Sequence, residues 1–71
     1  MIYEIAGKTI IVIVSPSSDP ENNHWYAGIY EKVGTVLSPL VGLRAFGDEQ
    51  VAREWVKREF EAKFLGTTFL D

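Results

Sequence analysis

Apolar positions recur at helical spacing over one long stretch, residues 48–65, DEQVAREWVKREFEAKFL. Val51, Ala52, Trp55, Val56 and Phe60 fall on one arc, while Arg53, Glu54, Lys57, Arg58 and Glu61 fill the other, the signature of an amphipathic helix. The Asp48 carboxylate is placed to accept from the open N–H groups of the first turn and, with Glu49, to meet the positive end of the helix dipole. Gly47 is the alternative cap, with Phe46 then stapling onto Val51. Glu49 with Arg53, Glu54 with Arg58 and Glu59 with Lys63 are acid-first pairs four apart, each contributing about 0.2–0.5 kcal/mol on an exposed helix. Gly66 suits a left-handed residue just past the end, so residues 67–71 are expected to leave as a short tail. Glu59 and Lys63 project near the middle of the apolar arc. The last turns are therefore expected to overhang the neighbouring layer, with both side chains reaching water.

Upstream of residue 48 the period shortens to that of strands. Residues 2–5 and 9–15 are β-rich runs separated by Ala6-Gly7-Lys8, the length and composition of a tight hairpin connection. Gly7-Lys8-Thr9 has the ending of a phosphate-binding loop but lacks the upstream glycine and the following helix that such a loop needs. Residues 15–23 carry Pro16 and Pro20 and no periodicity, which predicts a surface loop longer than the usual hairpin turn. In the run 24–33, HWYAGIYEKV, alternation puts Trp25, Ala27 and Ile29 on one face and Tyr26, Gly28 and Tyr30 on the other. The small pair Ala27-Gly28 admits a close neighbour. Gly34-Thr35 turns the chain, and Pro39 and Gly42 predict an irregular connection followed by a short strand over 43–46. The sum is an α+β fold. A small antiparallel sheet of three to four strands, with a β-hairpin first, packs on one C-terminal amphipathic helix in a single domain spanning 1–71.

Ile10-Ile11-Val12-Ile13-Val14 breaks the alternation by being apolar at every position. In an antiparallel sheet this means that both faces of the strand need cover. One helix covers one face. Either Ile11 and Ile13, or Ile10, Val12 and Val14, must find shelter elsewhere, and each such side chain left bare forgoes about 1.5–3 kcal/mol of burial. Tyr3, Tyr26 and Tyr30 with the loop could shield them within one chain. The alternative is a second subunit or a partner protein, for which Tyr and Trp are good anchors. The candidate partner-binding residues are therefore Trp25, Tyr26, Tyr30, Ile10, Val12 and Val14.

Composition sharpens this choice. A chain of 71 residues with no cysteine and one histidine has neither a disulfide nor a thiolate–zinc staple. Ordering costs about 1.5 kcal/mol per residue and nearly cancels burial in so short a chain, which leaves good packing or self-association as the source of stability. Ten acidic residues against seven basic ones give a net charge of −3, and the basic residues are largely interleaved with Glu on the helix. No phosphate-neutralising patch is visible in the sequence. No apolar run approaches the roughly 20 residues of a membrane span, and Met1-Ile2-Tyr3-Glu4 lacks the basic start of a signal peptide, so the chain is expected in the cytoplasm.

Candidate chemistry is sparse. Asp19, Glu21 and His24 are the one set of possible metal ligands, but no fourth ligand is nearby, and a solvated loop explains them better. Ser15, Ser17 and Ser18 are accounted for by turn chemistry. No nucleophile, base and orienting group are spelled out by spacing, so neither catalysis nor a cofactor is expected.

A strand–strand–strand–helix order with an aromatic strand, and Gly47-Asp48 leading into a helix that contains Ala52, is similar to the HicB-like antitoxin domain, which has a partial double-stranded-RNA-binding-like fold. The resemblance covers the second half of the chain. That family has Glu-Glu-Ala in the helix where this chain has Glu49-Gln50-Val51-Ala52, and no site residue or activity carries over. The residues themselves predict a small non-catalytic cytosolic interaction module, acting as a regulator, adaptor or inhibitor. It would dock another protein through an aromatic and apolar sheet face and form homo-oligomers. The alternative is single-stranded nucleic-acid binding, with Trp25, Tyr26 and Tyr30 as a stacking platform and Lys8, Lys32 and Arg44 at its margins. The acidic balance makes nucleic acid the weaker expectation.

Overall fold

The computed structural model describes residues 1–67 apart from residues 20 and 22. Its elements run in the order β1 (Ile2–Ile5), β2 (Lys8–Pro16), β3 (Trp25–Val33), β4 (Val36–Phe46) and α1 (Glu49–Lys63). The strands form one antiparallel meander in the order β1-β2-β3-β4. The helix packs on one side of it. This is the α+β architecture predicted by the pattern, with four strands.

Local chemistry sets the register. Ala6 at φ 51° and Gly7 at φ 79° make a two-residue loop with both residues left-handed, as a type I′ hairpin requires. It pairs Ile5 with Lys8 and so brings Ile2 opposite Ile11. β2 runs further than expected, to Pro16 opposite Trp25, and the Ser17 N–H donates to the His24 carbonyl at 2.9 Å. In the connecting loop the Asp19 N–H donates to Ser17 Oγ at 3.2 Å and the Glu21 N–H donates to Asp19 Oδ1 at 3.0 Å. Side chains that fold back on their own backbone are turn formers.

β4 departs from the sequence expectation. The irregular connection and short strand 43–46 are instead one eleven-residue strand. From Ala27 to Ile29 the partner strand advances from Arg44 to Val41, and from Ile29 to Tyr30 it advances from Val41 to Pro39. Each step absorbs one extra residue of β4 as a bulge. Pro39, which has no N–H, is tolerated because β4 is an edge strand. Gly34 at φ 63° makes the tight turn that returns β3 into β4.

The core lies between α1 and the middle strands. Ala52, Val56 and Phe60 of the helix are buried against Ile10, Val12, Ala27 and Ile29. Tyr3 packs its ring 4.7 Å from that of Phe60, and Phe46 packs 5.2 Å from Trp55, so the helix is anchored towards both edges of the sheet. Asp48 is the cap, with Oδ1 accepting from the Gln50 N–H at 2.9 Å, and Glu49 accepts from Arg53 Nε at 2.9 Å. The helix stops at Lys63, and Gly66 beyond it takes φ 87°. Of the expected tail, all but Thr67 lies outside the described residues. Val51 is a correction. It is 49% exposed, because it stands about 100° around the helix from Ala52, away from the buried stripe. Glu59 is half-buried, short of the full exposure expected for it, and Lys63 is exposed.

The open sheet face as candidate functional site

The register divides the apolar run of β2 cleanly. Ile10, Val12 and Val14 point to the helix with Tyr3, Ala27 and Ile29, and the first two are 0% and 2% exposed. They belong to the core. This corrects the expectation that Ile10, Val12 and Val14 contribute to a docking surface. The helix occupies their face, and the uncovered side chains are Ile11 and Ile13. Trp25 is also on the helix side, half-buried against the core cluster. Tyr26 and Tyr30 are the candidates that share the open face.

That face is ordered in rows running across the strands. Ile2, Ile11, Tyr30 and Pro39 lie opposite one another in one row that crosses all four strands. Next to it, Ile13 lies opposite Gly28. A Cβ added to Gly28 would fall 3.1 Å from Leu43 Cδ2 and 3.2 Å from Tyr30 Cε1. The Leu43 side chain and the Tyr30 ring therefore already close over this glycine, which explains its burial. Ser15, Tyr26 and Ala45 form the row beyond. Ile2 is 70% and Leu43 53% exposed, whereas Ile11, Ile13, Tyr26 and Tyr30 are half-buried by their own neighbours. Tyr3 cannot help to shield them, since its ring stacks on Phe60 on the other side.

Ile2 and Leu43 are not among the residues that the sequence pattern singles out. The Ala6-Gly7 loop carries the signal for Ile2, because a two-residue turn fixes Ile2 opposite Ile11. Leu43 has no such signal, since the bulges on either side of Val41 scramble its parity.

Polar groups on this face are few. Glu4, Thr9, Lys32 and Leu37 make one row, in which Thr9 Oγ1 donates to Glu4 Oε1 at 3.0 Å. Of the cations expected at the margins of a stacking platform, Lys32 alone is here. Arg44 is on the helix side, 5.8 Å from the Trp55 ring centre, and Lys8 pairs with Ile5 at the hairpin end. Among the described residues no three His, Cys, Asp or Glu side chains gather as a metal site, and no helix is long and apolar enough to cross a membrane. An open concavity of about 500 Å3 at the start of α1 is lined by Asp48, Glu49, Gln50, Arg53 and Glu54. Its carboxylates are committed to the helix: Asp48 caps it, Glu49 holds Arg53 and Glu54 accepts from Gln50 Nε2 at 3.3 Å.

Comparison with protein families, curated protein sequences and solved structures gives no match for this chain.

Proposed function

We propose that this chain is a non-catalytic cytosolic protein-interaction module whose working surface is the open sheet face, centred on Tyr30, Ile11, Ile13 and Tyr26. One observation carries the proposal: a sheet apolar on both sides has a helix on one side only, and the other presents a cross-strand apolar row among the described residues. Buried aliphatic side chains gain about 1.5–3 kcal/mol each over exposed ones, so a partner that covers this row collects what the monomer leaves unused. Tyrosines suit the role because they offer wide contact for two rotatable bonds. Nucleic acid fits less well, as Trp25 is turned to the core side and one lysine stands on the face.

The test uses Tyr26→Ser and Tyr30→Ser, singly and together. The variants are expected to keep the far-ultraviolet circular dichroism of the parent while losing protein association, measured as self-association and as capture of a partner from native cell extract. Unfolding of both single variants would make these tyrosines core residues and end the proposal. A labelled single-stranded oligonucleotide, monitored by anisotropy at low salt, should show no change at micromolar protein. Saturable binding that is lost in the tyrosine variants would transfer the face to nucleic acid.

A further inference from the structure

We infer that the occupant of the open face is a second copy of this chain, packed face to face about a twofold axis that runs along β2. The inference rests on the docking role proposed for that face and names its partner. The argument starts from charge. The strand alternation places two charged side chains on the open face among the described residues, Glu4 on β1 and Lys32 on β3. Both lie in one row, with Thr9 of β2 between them. With strands about 4.8 Å apart, the two are separated by about 10 Å across the sheet. The Thr9 hydroxyl holds the Glu4 carboxylate on the β2 side.

A twofold axis parallel to β2 and midway between two stacked sheets keeps every residue at its level along the strand and exchanges β1 with β3. Glu4 of one copy then meets Lys32 of the other, twice, as an isologous interface demands. The same operation sets Ile2 against Tyr30 in the neighbouring row, also twice, and brings Ile11 onto Ile11 and Ile13 onto Ile13 along the axis. Unlike charges meet, apolar meets apolar, and the strands of the two sheets run aligned, the usual arrangement of stacked sheets. Shifting the axis to lie between β2 and β3 would set Glu4 over Leu37 and Lys32 over Thr9. That choice leaves both charges over groups of no opposite sign.

The covered area is modest. β2 faces its copy over nine residues and the four residues of β1 cover four of the partner's β3 on each flank, which at about 4.8 Å by 3.3 Å per residue projects to roughly 270 Å2 per copy, about a third of a standard interface. The pair should therefore be an exchanging dimer with a dissociation constant in the micromolar range, open to displacement.

Sedimentation equilibrium of the full chain tests this with Glu4→Lys, Lys32→Glu and the double exchange Glu4→Lys/Lys32→Glu. Both positions are at least partly exposed, so the variants should fold. The parent is expected to show a concentration-dependent dimer, each single reversal to weaken it at least about tenfold, and the double exchange to return it to within about threefold of the parent. A parent monomeric at every concentration overturns the inference, and in that case loss of partner capture in the tyrosine variants still upholds the docking role. A dimer indifferent to the charge reversals but lost in Tyr30→Ser overturns this axis and keeps the face. A dimer that neither set of variants disturbs overturns both.

Discussion

At the scale of single residues, the structure separates side chains that hold the fold from those that meet water on the open face. Phe60 is fully buried under Tyr3 and Phe64, so Phe60→Ala should cost about 3–5 kcal/mol and leave so small a domain largely unfolded, as measured by urea titration. Tyr30→Ser, on the half-buried side, should cost closer to about 1 kcal/mol. Ala6 is the one described non-glycine residue at positive φ, a conformation that disfavours L-residues by about 1–2 kcal/mol. Asparagine enters it more readily, and Ala6→Asn should raise the unfolding free energy by about 0.5–1 kcal/mol with an unchanged urea slope. A neutral or lower value would mean that the left-handed pair contributes no strain. Asp48→Ala should cost about 1 kcal/mol and Asp48→Ser should recover most of it. The cap and the hairpin turn are legible in the sequence because each depends on residues within three positions. The burial of Ile10 and Val12 is not. With apolar residues on both sides of β2, nothing local says which side meets the helix.

At the scale of elements, β4 shows where period-two reasoning stops. Pro39 and Gly42 look like breakers, yet two bulges absorb one residue each and let the strand run from Val36 to Phe46. Each bulge reverses the parity of the residues beyond it, so the eleven residues show no simple alternation and Leu43 gives no sign of belonging to the open face. The helix carries an unbroken period and the β1–β2 hairpin a local turn between β-rich runs, and both are visible from sequence. The glycine opposite the bulged region is a handle on this geometry. A methyl at Gly28 would press on Leu43 and Tyr30, which can swing, and on the Val41 carbonyl at 3.2 Å, which is backbone. Gly28→Ala should cost about 1–2 kcal/mol and displace the Tyr30 ring. Calorimetry and the chemical shifts of the Leu43 methyls measure the two effects; unchanged shifts would show that the tyrosine does not rest on this glycine.

At the scale of the whole molecule, one helix and one sheet make a slab about 15 Å through its thinnest Cα dimension, with the core between them and an uncovered apolar row on the far side. The doubly apolar β2 run announces this imbalance in the sequence. Which residues form the bare side depends on register across an eight-residue connection, 17–24, that no local signal fixes. The 8.0 kDa chain carries no disulfide and, among the described residues, folds around seven buried side chains, so further burial on the open face would add to a small core. The most direct measurement is methyl nuclear magnetic resonance during dilution from about 1 mM to about 20 μM, a range that spans micromolar association. The resonances of Ile2, Ile11 and Ile13 should shift together along one binding curve while those of Ile10, Ile29 and Val56 stay in place. Shifts absent at every concentration, or confined to the helix side, would contradict the assignment of the open face as the surface on which two copies of this chain meet.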